Sequence, residues 1–204
     1  RLDSAYATTL DFAGFDVSTA SFVDSFSVAA QEITPTGVEF NSDGTKMFVC
    51  GQTGDDVNEY TLSTAFDVST ASYSQAFSVS AQETAPRGIR FNNNGTKMFI
   101  VGFALGGVAE YTLSTAFDVS TASFVDSFSA TAQSGDKQGL AFSADGTKMY
   151  IVSVAFGSAG RVDEYSLSTG FDVSTASFSQ SFSVYSQDTN PQNLSFNING
   201  TKMF

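Results

Sequence analysis

Pro35-Thr-Gly-Val-Glu-Phe-Asn-Ser-Asp-Gly-Thr-Lys-Met-Phe-Val49, followed by Val57-Asn-Glu-Tyr-Thr-Leu62, holds three strand signals and one hairpin signal in a short space. Gly37-Val-Glu-Phe40 alternates apolar with polar residues at period two, as a strand with one buried face does. Lys46-Met-Phe-Val-Cys50 is a nearly continuous apolar run, which suits an interior strand covered on both faces. Between them Ser42-Asp43-Gly44-Thr45 reads as a tight turn, because Asp-Gly supplies the positive φ angles that a hairpin needs. Val57 to Leu62 puts Tyr and Leu on one face and Glu on the other. These three strands are named a, b and c.

The same stretch recurs. Gly-Thr-Lys-Met followed by an aromatic starts at Gly44, Gly95, Gly146 and Gly200, and Phe-Asp-Val-Ser-Thr-Ala-Ser starts at Phe15, Phe66, Phe117 and Phe171. Both series are spaced 51, 51 and 54 residues. Strand a returns at Gly88 to Phe91, Gly139 to Phe142 and Asn193 to Phe196, and strand c at Val108 to Leu113 and Val162 to Leu167. A Ser-rich strand d follows each Phe-Asp-Val link, at Phe22 to Val28, Tyr73 to Val79, Phe124 to Ala130 and Phe178 to Val184. Its polarity fits an outer edge, where apolar side chains would invite strand addition. The three extra residues of the third repeat fall between Val152 and Val162, which marks a loop. Asp43 and Asp145 have a turn role before any calcium role, and the glycosylation-like Asn94-Gly-Thr and Asn199-Gly-Thr arise from the same turn chemistry.

No stretch carries a capped 3.6-residue apolar period, so the chain is expected to be all-β. One four-stranded meander cannot bury both faces. Repeats of this length with four strands predict a β-propeller of four-stranded antiparallel blades around a central channel. A β-solenoid competes, but its coils are shorter and lack Asn-Gly hairpins. The repeats run approximately 15–65, 66–116, 117–170 and 171–204 within one domain or propeller fragment, and residues 1–14 with Tyr6 to Leu10 are expected to complete the last. Four blades' worth of strands allows a closed four-bladed ring or part of a larger, eight-bladed one. In strand d, Val23-Asp24 and Val125-Asp126 alternate with Ser74-Gln75 and Ser179-Gln180, which favours an even number.

Pro35 to Val49 with Val57 to Leu62 resembles the YVTN-type β-propeller repeat, a group related to lactonase-like propellers, and all four repeats carry it. Lys137 departs from it where the earlier repeats have Pro, Asn193 departs from the strand a Gly, and Arg1 to Gly14 match strand c only loosely. The resemblance implies the fold and leaves activity open, since such propellers serve as surface proteins, scaffolds and enzymes. Lactonase-like members place metal-binding acidic or polar residues on the channel. The a strands here offer only Glu39 at the comparable place.

The 204 residues carry 21 Phe, 7 Tyr, no Trp and no His. Without His, the commonest near-neutral base and transition-metal ligand is missing. No nucleophile with a base and no convergent carboxylate cluster stands out, so the expectation is no enzyme, no catalytic residue, no cofactor and no metal site. A net charge of -12 repels phosphate backbones, so nucleic acid is excluded as a partner. No apolar run approaches the ~20 residues of a membrane span. Cys50 aligns with Val101 and Val152 and reads as a small core residue. The start at Arg1 rather than Met suggests a processed or excised segment.

A site specific to this protein should break the repeat. The outliers fall on the loops joining d to a and b to c: Asp55, Asp56, Arg87, Asp136, Lys137 and Arg161 in the enlarged Ser158 to Arg161 region. The same face carries a recurring Gln at Gln31, Gln82, Gln133 and Gln187, usually followed by an acid, which suits either a ligand ring or hydrogen bonds to loop backbone. Glu39 and Arg90 occupy equivalent places on successive a strands and are expected to form a channel-side ion pair. The functional expectation is a non-catalytic binding or structural module, extracellular, on a cell surface or on a virion, with a glycan or protein as ligand. The alternatives are a self-assembling structural subunit of a surface layer, filament or virion, with a homo-oligomer completing the ring, and a lactonase-like metal-dependent hydrolase.

Overall fold

The computed structural model describes residues 6–11, 17–133, 135–155 and 158–204. Phe15, the tip of the Ser158 to Arg161 region and most of the Arg1 to Gly14 segment fall on or beside positions outside these residues. Three four-stranded antiparallel sheets follow one another along the chain. The first blade comprises β3 (Pro35–Phe40), β4 (Lys46–Gly51), β5 (Asp56–Leu62) and β6 (Ala71–Ser78). The second comprises β7 (Pro86–Phe91), β8 (Lys97–Gly102), β9 (Gly107–Leu113) and β10 (Ala122–Ser129), and the third β11 (Asp136–Phe142), β12 (Lys148–Ala155), β13 (Ser158–Leu167) and β14 (Ala176–Ser183). Before them β1 (Tyr6–Asp11) pairs with β2 (Ser21–Ser27) as the expected c and d strands. After them residues 193–204 form a short hairpin bridged at Phe196 and Met203.

In each blade strand order follows chain order, so β4 and β8 are interior and almost wholly buried while β6 and β10 are exposed edges. The inner strands β3, β7 and β11 meet around the axis at glycines. A Cβ on Gly37 would lie 3.1 Å from the Gly88 Cα, and one on Gly139 would lie 2.7 Å from the Asn193 Cα. The core sits between blades, where Phe48, Cys50 and Val57 of the first pack with Ile89, Met98 and Tyr111 of the second. Phe99 and Val101 pack likewise with Leu140, Met149 and Tyr165 of the third. Burial pushes the Cys50 thiol up to about 12, so it stays an inert core group.

Two features were not legible as strands or turns. Each Phe-Asp-Val-Ser-Thr link contains a single 3-10 turn, at Val17–Thr19, Val68–Thr70, Val119–Thr121 and Val173–Thr175. Asp67, Asp118 and Asp172 accept from the backbone and hydroxyl of the Ser two residues on. The Phe before each of these Asp residues adopts a left-handed φ, 60° at Phe66, 55° at Phe117 and 57° at Phe171. Such a φ is strained for a bulky residue. It is held because the ring lies across the glycine of the a-to-b turn, where a Cβ on Gly44 would sit 2.3 Å from Phe66. The second feature is the enlarged b-to-c region, which extends β12 and β13 to 8 and 10 residues rather than forming a longer loop.

Candidate functional site

The inner strands bring one residue per blade to the mouth of the axis: Thr36, Arg87, Gln138 and, from the terminal hairpin, Gln192. They line a cavity of about 10 Å³, the room of roughly one water. Each precedes the position at which the strands pack backbone to backbone, and this close approach is what makes them converge. Thr36 donates to the Pro86 carbonyl at 2.8 Å. The Arg87 guanidinium faces the Gln52 side-chain amide, whose oxygen accepts from Nε at 2.9 Å when the amide is oriented by its surroundings. Among the described residues no carboxylate pairs with Arg87, whereas Lys46, Arg90, Lys97, Lys148 and Arg161 each have one.

Three positions further along the inner strands, the Arg90 Nη1 lies 2.6 Å from Glu39 Oε2, joining the first and second inner strands. Arg90 Nη2 also reaches Asn193 Oδ1 and the Leu194 carbonyl, each at 3.5 Å. Burial raises the Glu39 carboxyl above its ordinary range, and the Arg90 charge works against that rise. The positions matching Glu39 in the other inner strands are Arg90, Ala141 and Ser195. A single carboxylate already held by a guanidinium does not fit the metal set that the family resemblance implies. Among the described residues no group of three His, Cys, Asp or Glu gathers as metal ligands.

The remaining candidates are tied into the loops. Gln31, Gln82 and Gln133 accept from the hydroxyls of Tyr60, Tyr111 and Tyr165 at 3.3, 3.1 and 3.0 Å. Their partners are thus the c-strand tyrosines of the following blade, rather than only loop backbone. Gln187 is exposed and accepts from the Ser186 hydroxyl. The acids following the first two are buried staples: Glu32 takes backbone N–H groups of Thr34, Thr53 and Gly54, and Glu83 those of Ala85, Ala104 and Leu105.

Asp55 closes the first b-to-c loop with a φ of 49°. Asp56 accepts from Asn58 at 2.6 Å, and its carboxyl is raised by burial. Asp136 begins β11 opposite Val154. Lys137 is buried, donates to the Gln133 carbonyl at 2.6 Å and to Ser153 Oγ at 3.3 Å, and is lowered by burial against the pull of Asp163. Ser153 donates to Asp163, which pairs with Arg161 at 2.9 Å and accepts from Ser181 at 2.5 Å. Ser153 and Lys137 have the residue types of a nucleophile and base, but Ser153, Asp163 and Lys137 are at most 1% exposed.

Sequence reading by outliers therefore found Arg87 and missed its companions Thr36, Gln138 and Gln192. The signal lay in the alignment column just before the strand a glycine, where the four repeats carry four polar residues of three kinds.

No family model matches the sequence, and no curated protein matches it. Solved structures do. A Bacteroides uniformis protein provisionally assigned as a 6-phosphogluconolactonase superposes with a TM-score of 0.63 at 15% identity, covering 100% of this chain and 61% of its own. A Lactobacillus plantarum protein gives 0.63 at 13% identity, with coverage of 98% and 57%. The periplasmic gluconolactonase of Pseudomonas aeruginosa gives 0.53 at 16% identity, with coverage of 81% and 45%. The chain is thus structurally similar to lactonase-like β-propellers over nearly its whole length while spanning less than two thirds of theirs, and at these identities the likeness is one of fold.

Proposed function

We propose that this chain is a non-catalytic propeller module, displayed outside the cell or on a virion, that binds an acidic glycan at the axial mouth. The observation that carries the reading is Arg87, the mouth guanidinium with a neutral amide rather than a carboxylate beside it. Such a group favours a carboxylate with bidentate geometry. The Thr36 hydroxyl and the Gln138 and Gln192 amides offer donors and acceptors for sugar hydroxyls around it. The cavity itself holds about one water, so the carboxylate meets Arg87 at its rim and the rest of the sugar stays on the loop face.

Thermal-shift titration with oligogalacturonate against the matching neutral oligosaccharide tests this. A stabilisation growing with acidic ligand and absent in Arg87→Ala is the expected result. Because the net charge of -12 repels an anion at long range, affinity should rise as salt is added. Equal response to both sugars, or to neither, overturns the reading. The likeness to gluconolactonases makes lactone hydrolysis the alternative, and turnover of a gluconolactone would replace binding with catalysis.

A further inference from the structure

Arg87 has an aromatic neighbour at the mouth. It follows Pro86, which pairs across the β7–β8 ladder with Gly102, and the residue after Gly102 is Phe103. Arg87 and Phe103 therefore hold diagonal places on neighbouring strands, from which a long and an aromatic side chain can bracket one ligand. The matching residue of the first blade is Gln52, whose amide meets the Arg87 guanidinium. The backbone runs alike at both: Gln52 N donates to the Thr34 carbonyl and Phe103 N to the Ala85 carbonyl, each at 3.2 Å. In the third blade the place belongs to Val154. Gln, Phe and Val in one column of near copies break the repeat beside the mouth, as Thr36, Arg87 and Gln138 break it within the mouth.

Phe103 is 51% exposed, whereas Gln52 and Val154 are half-buried. Its backbone is fixed on both sides. Before it lies the bond to Ala85, and after it the N–H groups of Ala104 and Leu105 each donate at 2.9 Å to the fully buried Glu83 carboxylate. The ring is thus displayed on a rigid support, so covering it with a ligand costs little ordering of the chain. An aromatic face carries negative charge density and attracts the polarised C–H groups of a sugar ring laid against it. A guanidinium and an open phenyl ring side by side suit a molecule with a carboxylate at one edge and a C–H surface next to it.

We propose that Phe103 is the stacking platform of the axial mouth and that it selects a uronic acid of galacto configuration. This inference rests on the acidic-glycan reading and adds the stereochemistry of the sugar to it. A hexuronate carries its carboxylate on C5, at the edge of the pyranose ring, so a carboxylate held by Arg87 leaves the ring to lie over the neighbouring Phe103. In the galacto configuration H3, H4 and H5 gather on one face of the pyranose, which gives the phenyl ring an apolar patch. In the gluco configuration H4 turns to the other face and the patch shrinks. Arg87 thus serves any uronate, and Phe103 tells one C4 epimer from the other.

The chain contains no Trp, so Phe103→Trp places a lone fluorophore at the platform. Titration with methyl α-galacturonoside should change its emission at lower concentration than methyl α-glucuronoside, which differs only at C4. In calorimetry the unmodified protein should prefer the galacturonoside, and Phe103→Ala should raise that dissociation constant about fivefold, which removes the preference. Phe103→Tyr should keep the preference and Phe103→Leu, apolar but without a ring face, should lose it. If Phe103→Ala does not fold by circular dichroism, Phe103→Leu decides. If only oligogalacturonate binds tightly enough to measure, the same fivefold weakening in Phe103→Ala is expected for it. Binding that is abolished by Arg87→Ala but indifferent to Phe103→Ala and Phe103→Leu overturns this proposal and leaves the acidic-glycan reading standing. Binding of none of the three sugars by the unmodified protein overturns both.

Discussion

The two ends of the blades solve the problem of joining copies in different ways. At the end of the a-to-b turns and c-to-d links, both internal junctions use the same Lys, Glu, Phe and Val contacts at nearly the same distances. At the opposite end the first two blades are held by Glu32 and Glu83, while the third uses the buried Lys137, Ser153 and Asp163. The difference is one of coupling. A Lys or Glu at this end bonds backbone groups of the next copy, 60 to 74 residues away, which no substitution there can re-match. A loop staple touches only its own neighbourhood, where a few positions can change together.

The third blade shows such a joint change. Gly51 and Gly102 are required because a Cβ at either would lie 2.3 Å from the staple carboxylate. The matching residue is Ser153, and the residue in the staple position is Ser134. A side chain became allowed at one place as the bulky acid left the other.

The largest expected effect breaks such a junction. Glu110→Ala leaves Lys97 and the Val173 backbone N–H without their partner, and should cost about 3 kcal/mol in urea unfolding. A smaller loss, about 2 kcal/mol, is expected for Gly102→Ala by overpacking against Glu83. Adding Glu83→Ser to Gly102→Ala relieves the clash while giving up the staple, so the double variant should lose less than the two single losses together. Simple additivity would mean that the two positions are not coupled.

Lys137→Met should cost about 1 kcal/mol, because removing the buried charge is offset by leaving the Gln133 carbonyl and Ser153 without their donor. A large loss would show that the third blade depends on its polar cluster as the others depend on Glu. The smallest effect concerns the a-to-b turns. Hydrogen bonds from Ser143 and Thr147 hold the Asp145 carboxyl down to about 2 from 3.8, and Asp43 is lowered by Thr45. A depressed carboxyl adds stability above its unfolded pKa, and that contribution is lost as pH falls from 3.8 towards about 2. Asp145→Ala should flatten the acid dependence of the unfolding midpoint in that window.

Much of the fold was legible because the repeats are near copies. Two independent series with one spacing located every strand a, b and d, and Asp-Gly or Asn-Gly fixed the hairpins through their φ preference. Glu39 and Arg90 could be placed side by side because they share a column. The roles of Glu32 and Glu83 could not be read, since a carboxylate after a Gln looks equally suited to ligand and to loop until the N–H groups around it are seen.

By itself the sequence determined most of the strands, the hairpin turns, their period and the kinship of the blades, because φ preferences and two-residue alternation act between neighbours in the chain. Only the tertiary structure decided which polar residues meet. Thr36, Arg87, Gln138 and Gln192 are some fifty residues apart, and they converge because inner strands packed through glycine leave their flanking side chains nowhere to point but the axis.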